Sequence, residues 1–144
     1  MAQLKHTGRA YLLFTQTGLV VAPLATAGVV AVAQSAHADG LVQCWGAGTV
    51  NEGQYFNYGQ CIVPLDLPNC SNVAAGLAHT VALQSDGRVR CWGQTSYHQC
   101  DTPTDLGPCV SVAAGAEHSI ALLANGAVRC WGSNWQGQCN APDD

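Results

Sequence analysis

Cationic side chains are nearly missing from this chain. Lysine and arginine together number 5 against 9 acidic residues, for a formal net charge of −4. Past residue 38 only Arg88, Arg90 and Arg129 remain. A nucleic-acid binder needs a basic patch or stripe, so a nucleic-acid partner is not expected. No C-x-x-C pair occurs, and the shortest cysteine spacing is Cys-x8-Cys. That argues against the usual zinc ligand sets and against a dithiol redox catalyst, so no metal and no cofactor are expected. No 3.6-residue apolar period runs through the later part of the chain, which excludes a stacked helical repeat. No apolar run is long enough to span a bilayer, which takes about 20 residues. Thr15-Gln16-Thr17 break the N-terminal run, which resumes only as the shorter stretch Gly18–Ala33.

What is present is a duplication. The stretch from Cys70 to Cys100 returns from Cys109 to Cys139 with a constant offset of 39 residues, which carries His79 onto His118 and Trp92 onto Trp131. Laid over each other, 61–105 and 100–144 share 22 of 45 positions. A period near 40 marks a repeat architecture. Each copy holds an Asx-Gly pair between apolar runs, Asp86-Gly87 and Asn125-Gly126. Such pairs suit the two-residue type I′ hairpin. That turn sets a register in which Leu123 faces Val128 and Ile120 faces Trp131. Alternation along the strands then places Ile120, Leu122 and Trp131 on one face, with Arg129 near its edge. Ala121, Leu123, Val128 and Cys130 fall on the other. Neither face is polar, so each sheet needs a neighbour on both sides. Val110–Gly115 supplies a strand before the hairpin, and Gln138-Cys139 a short fourth strand after it. The fold class expected is all-β: an incomplete β-propeller of about two and a half four-stranded antiparallel blades.

The repeated residues resemble the regulator of chromosome condensation repeat. Its Gly-x-x-His-Ser/Thr segment corresponds to Gly76–Thr80 and Gly115–Ser119, and its Trp-Gly pair to Trp92-Gly93 and Trp131-Gly132. The Asn-x-x-Gly-Gln run is complete at Asn134–Gln138, whereas Thr95 and His98 replace the Asn and the Gly one unit earlier. The texture is also similar to the secreted propeller-type inhibitors of β-lactamases. The Gly-x-x-His loops depart from that group, holding Leu77-Ala78 and Ala116-Glu117 in place of aromatics. The resemblance implies blades that recognise a protein partner through loops at their ends. No constellation of residues supports an enzyme, so no catalysis is expected.

Residues 1–38 read as a helical secretory signal peptide. Lys5, His6 and Arg9 form a basic start, an apolar stretch comes next, and Ala36-His37-Ala38 precedes Asp39 as a cleavage site. The expected domain is 39–144, with a partial blade at 41–61 and blades at 70–100 and 109–139. Export would place the chain in a secreted, periplasmic or extracellular setting, with no stable membrane insertion after cleavage. All eight cysteines lie past residue 38, which in an exported chain argues for disulfides. Two schemes are open. Cys61–Cys70 and Cys100–Cys109 would close the connectors, or Cys44–Cys61, Cys91–Cys100 and Cys130–Cys139 would staple each unit internally and leave Cys70 and Cys109 over.

His79 and His118 have no converging Ser-Asp partners of the kind a catalytic triad requires. They read as structural hydrogen-bonding residues at the start of a strand. The loops are where the copies differ. Gly46 to Gly59 spans 13 positions where Gly132 to Gly137 spans 5, and this insertion carries Tyr55 and Phe56, with Tyr58 just before Gly59. Tyr97, His98 and Trp135 occupy the matching loops of the later units. Aromatic residues on loops held by a rigid scaffold are typical anchors for a protein partner. These six are the candidate binding residues. Two and a half blades fall short of the usual four to eight. The open blade faces therefore suggest a second role, self-association or membership of a larger propeller.

Overall fold

The computed structural model describes residues 32–35, 40–45 and 57–141. Its described elements are all strands. β1 (Val32–Ser35) and β2 (Val42–Trp45) pair antiparallel. β3 (Cys70–Ala75), β4 (His79–Gln84) and β5 (Val89–Gly93) form one meander, and β6 (Cys109–Ala114), β7 (His118–Leu123) and β8 (Val128–Gly132) a second. β1 lies in the segment read as a leader. The rest of that segment is outside the described residues.

The Asx-Gly turns are longer than the two-residue form. Leu123 N–H donates to Ala127 C=O at 2.9 Å and Gly126 N–H to Leu123 C=O at 3.0 Å. Gly126 takes φ +91° while Asn125 keeps a negative φ. This is a type I turn closed by a left-handed glycine, the three-residue hairpin with a glycine bulge. Gln84 to Arg88 repeats it, with Gly87 at φ +85°. Asn125 Oδ1 accepts from Ala127 N–H and Asp86 Oδ1 from Arg88 N–H, both at 3.1 Å.

The extra turn residue slides the register by one, so Leu122 faces Val128 and Ser119 faces Trp131. A one-residue slip moves every side chain to the other partner set, and the expected faces are corrected accordingly. Trp131 shares its face with Val112, Ala121 and Ser119, not with Ile120 and Leu122. That face packs on Ala74, Val81 and Leu83 of the preceding sheet. One unit earlier, Trp92, Val73 and Ala82 pack on Val42 and Cys44 in the same way. A tryptophan-alanine face thus meets an aliphatic face at each junction, which is how successive propeller blades stack.

The fourth strand is not formed as expected. Each complete sheet has three strands, and Gln99-Cys100 and Gln138-Cys139 run as turns. Disulfides tie them back to the third strand. Cys44–Cys61, Cys91–Cys100 and Cys130–Cys139 are bonded, with Cα separations of 5.1, 5.1 and 5.0 Å. The internal-staple scheme therefore holds, and the connector scheme is overturned. Cys70 and Cys109 are free and buried. Burial pushes both thiols above the usual cysteine range, with the Asp86 carboxylate adding to the effect at Cys70. Disulfides persist in oxidising settings, and three of them point to such a compartment.

Candidate binding surface

The loops at one end of the sheets are built by the repeated residues. His79 starts β4 and is fully buried. Ser119 Oγ–H donates to Gln99 C=O at 2.7 Å, so its oxygen is free to accept from His79 Nε2–H at 3.1 Å. His79 therefore carries its proton on Nε2 and links one blade to the next. Its ring lies where a methyl at Gly76 would stand, which is why the position before Leu77 is glycine. Desolvation lowers the His79 pKa to about 4, and the ring is neutral at pH 7.

The Gly-x-x-His loop and the Trp-Gly loop of each unit are laced together. Gln94 N–H donates to Ala78 C=O at 2.8 Å and Ser133 N–H to Glu117 C=O at 2.9 Å. The chains approach so closely that a Cβ at Gly132 would stand 2.7 Å from Glu117 O, and Gly132 turns at φ +106°. Each Trp-Gly loop is then pinned by its glutamine. Gln60 Oε1 accepts from Tyr58 N–H, Gln99 Oε1 from Tyr97 N–H and Gln138 Oε1 from Gln136 N–H, all at 2.9 Å. Gln60 and Gln99 are fully buried beneath the following blade. Thr80 Oγ1 and Trp92 Nε1 donate to Gln60 C=O at 2.9 and 2.8 Å.

With both flanks fixed, Tyr97 and Trp135 line the same cavity of about 490 Å³. Ala116, Glu117, His118, Ser133, Gln136 and Gln138 complete its lining. Trp135 is 86% exposed. The other candidate residues are placed elsewhere. Tyr58 is exposed on the preceding unit and does not line the cavity. His98 holds a left-handed backbone at φ +63°, the position of Gly59 and Gly137 in the sister loops. Its Nδ1 sits 2.7 Å from Asp101 Oδ2. Tyr55 and Phe56 lie outside the described residues. Sequence reasoning passed over Glu117 as a binding residue. The signal was the contrast between Leu77-Ala78 and Ala116-Glu117, one of the few places where the copies diverge in charge.

Ion pairs account for most of the other described charges. Arg88 meets Asp86 at 3.3 Å, Arg90 meets Asp66 at 3.4 Å and Arg129 meets Asp105 at 3.2 Å. The last two are repeat-equivalent and tie each connector to the third strand. All are exposed, so each contributes about 0–1 kcal/mol. Among the described residues, no three His, Cys, Asp or Glu side chains gather as a metal-binding group.

No curated protein matches the chain. Among solved structures, Prp20p from Saccharomyces cerevisiae, studied for its binding to Gsp1p and histones, is 26% identical. That match covers 73% of this chain and 29% of Prp20p with a TM-score of 0.54. The ectodomain of the receptor kinase CR4 from Physcomitrella patens is 23% identical over 72% of this chain and 25% of its own, with a TM-score of 0.52. Human WBSCR16 is 22% identical over 65% of this chain and 29% of its own, with a TM-score of 0.53. The last two show the fold alone, and this chain spans under a third of each of the three proteins. Residues 70–99 and 109–138 match the family model described as Regulator of chromosome condensation (RCC1) repeat. These two complete units therefore each carry the regulator of chromosome condensation repeat.

Proposed function

We propose that this chain is an exported, non-enzymatic module that binds another protein through its blade-end loops. The observation that carries this reading is the cavity that gathers Tyr97 and Trp135 from successive loops. Both loops are pinned by glutamine hydrogen bonds and a disulfide. A rigid frame presenting large aromatics at low entropic cost is what protein recognition favours. The histidines support a scaffold role: His79 is buried and bonded to Ser119. The binding of Prp20p to Gsp1p and histones agrees with this class of function. The low cationic content argues for a different partner.

The test is capture from culture medium by the immobilised chain. Trp135→Ala with Tyr97→Ala should lose the captured protein while circular dichroism stays unchanged. Capture at the wild-type level would remove these loops from the function. Export is tested separately, by sequencing the N-terminus of the secreted chain. Cleavage after Ala38 yields Asp39 first. It also removes β1 from β2, and a mature chain still beginning near Met1 would overturn the leader.

A second reading has its own observation. The outward face of the last blade is uncovered among the described residues. Leu122 is 38% exposed, whereas its equivalent Leu83 is 2% exposed beneath β6–β8. In this reading the chain forms part of a larger or oligomeric propeller.

A further inference from the structure

Five carboxylates lie among the described residues: Asp66, Asp86, Asp101, Asp105 and Glu117. Three are paired with arginine, and Asp101 is held by His98. Of the five, Glu117 alone has no cation. It also lines, together with the two aromatics, the cavity of about 490 Å³. An unneutralised carboxylate next to exposed aromatic rings is a cation site in chemical terms. The acid supplies charge and hydrogen-bond acceptors, and the rings supply a negative π-face.

We propose that this cavity takes an arginine side chain of the partner protein. The inference rests on the loop-binding reading above and adds the chemistry of what enters. Guanidinium fits better than ammonium on two counts. Its planar fork meets a carboxylate with two parallel hydrogen bonds, and it stacks flat on tryptophan and tyrosine while shedding little hydration. The rest of the lining is compatible. Ser133, Gln136 and Gln138 offer uncharged polar groups, His118 offers an imidazole whose ring nitrogen can accept a hydrogen bond when neutral, and Ala116 adds little bulk. Among the described residues, no arginine is available to fill the site from within, since Arg88, Arg90 and Arg129 are engaged at other carboxylates. The equivalent loop one unit earlier carries Leu77-Ala78 and has no acid. The site is therefore particular to the last unit.

The probe is acetyl-Gly-Arg-Gly-amide, set against its citrulline counterpart, which has nearly the same shape and no charge. Both are titrated into the full chain, and amide shifts and the Trp135 indole signal are followed. The arginine peptide should give saturable shifts confined to Tyr97, Ala116–His118 and Ser133–Gln138, with a Kd on the order of millimolar for one side chain. The citrulline peptide should bind at least about tenfold more weakly. Glu117→Gln should weaken the arginine peptide by about the same factor and leave the unliganded spectrum unchanged away from the loop. Equal binding of the two peptides, or unchanged affinity in Glu117→Gln, overturns the proposal. So does the absence of any saturable shift. The two readings fail separately. If Trp135→Ala abolishes partner capture and Glu117→Gln leaves it intact, the binding module stands and the arginine site falls.

Discussion

At the scale of single residues, His79 couples stability to pH. Its ordinary value of 6.5 falls to about 4 in the fold, chiefly through desolvation. Between those values the unfolded chain binds a proton that the folded chain does not. Stability from this group is therefore complete above pH 6.5 and is lost as pH falls toward 4. The full swing is about 3 kcal/mol, since each tenfold change in proton affinity is worth about 1.4 kcal/mol. Denaturant melts of wild type and His79→Gln at pH 7 and pH 4.5 check it. The variant should be less stable at pH 7 by about 1–3 kcal/mol, since the bond to Ser119 is lost in a buried site. Its pH dependence in that window should be shallower, and parallel pH profiles for the two proteins would contradict the coupling. His98 predicts the opposite sign. It stands in the left-handed region where its sister loops carry Gly59 and Gly137, a conformation costing a non-glycine residue about 1 kcal/mol. His98→Gly should raise the melting temperature by a few degrees. Loss of the exposed Asp101 contact should offset only part of the gain.

At the scale of elements, the hairpins show where sequence reading succeeds and where it slips. The strand pair around Asn125-Gly126 was legible because an Asx-Gly pair between apolar runs has few other uses. The register was not, because the same two residues suit both the two-residue turn and the three-residue turn with a glycine bulge. Only the placement of Ala127 C=O against Leu123 N–H separates them. That single residue decided which side chains share a face with Trp131. The Trp-Gly loops stood out in the sequence by Tyr97 and Trp135, and both side chains line one cavity in the structure. Glu117 was passed over because its importance depends on three-dimensional pairing, namely that every other described acid has a partner. The disulfides sat between these cases: repeat-locked spacing allowed two schemes, and the turn geometry of Gln99-Cys100 selects one. The bond from Cys91 to Cys100 closes a short loop, so the Cys91→Ser, Cys100→Ser double variant should lose about 2–3 kcal/mol in the chain-entropy treatment. Urea melts under non-reducing conditions measure this. A loss below about 0.5 kcal/mol, well under that expectation, would mean that the Gln99 hydrogen bonds alone hold the loop.

At the scale of the whole molecule, the governing fact is that each sheet has two apolar faces and the described chain covers only some of them. The junction between β3–β5 and β6–β8 is closed by Trp131, Val112 and Ala121 against Val81 and Leu83. The next face outward carries Leu122 and Val128 at 38% and 48% exposure, and the same unit holds His118 and Gln138, the equivalents of His79 and Gln99. In the covered junction the corresponding histidine binds a serine of the next blade, and the corresponding glutamine is buried under it. The open face thus repeats both the apolar and the polar half of a junction that is already satisfied once. Its natural complement is another blade of this family, from a second copy or from a longer array. Leu122 and Val128 are each already more than half covered, so completing the burial contributes about 1 kcal/mol per side chain, and the sum over the face favours concentration-dependent association. Sedimentation velocity over a wide concentration range should show wild-type mass rising with concentration, and Leu122→Asp with Val128→Asp should remain at the mass of one chain. Trp135→Ala should associate like wild type, because its loop lies at the blade end and not on the sheet face. If wild type and the double variant both stay monomeric throughout, the face is stable in water and stacking stops at the second blade.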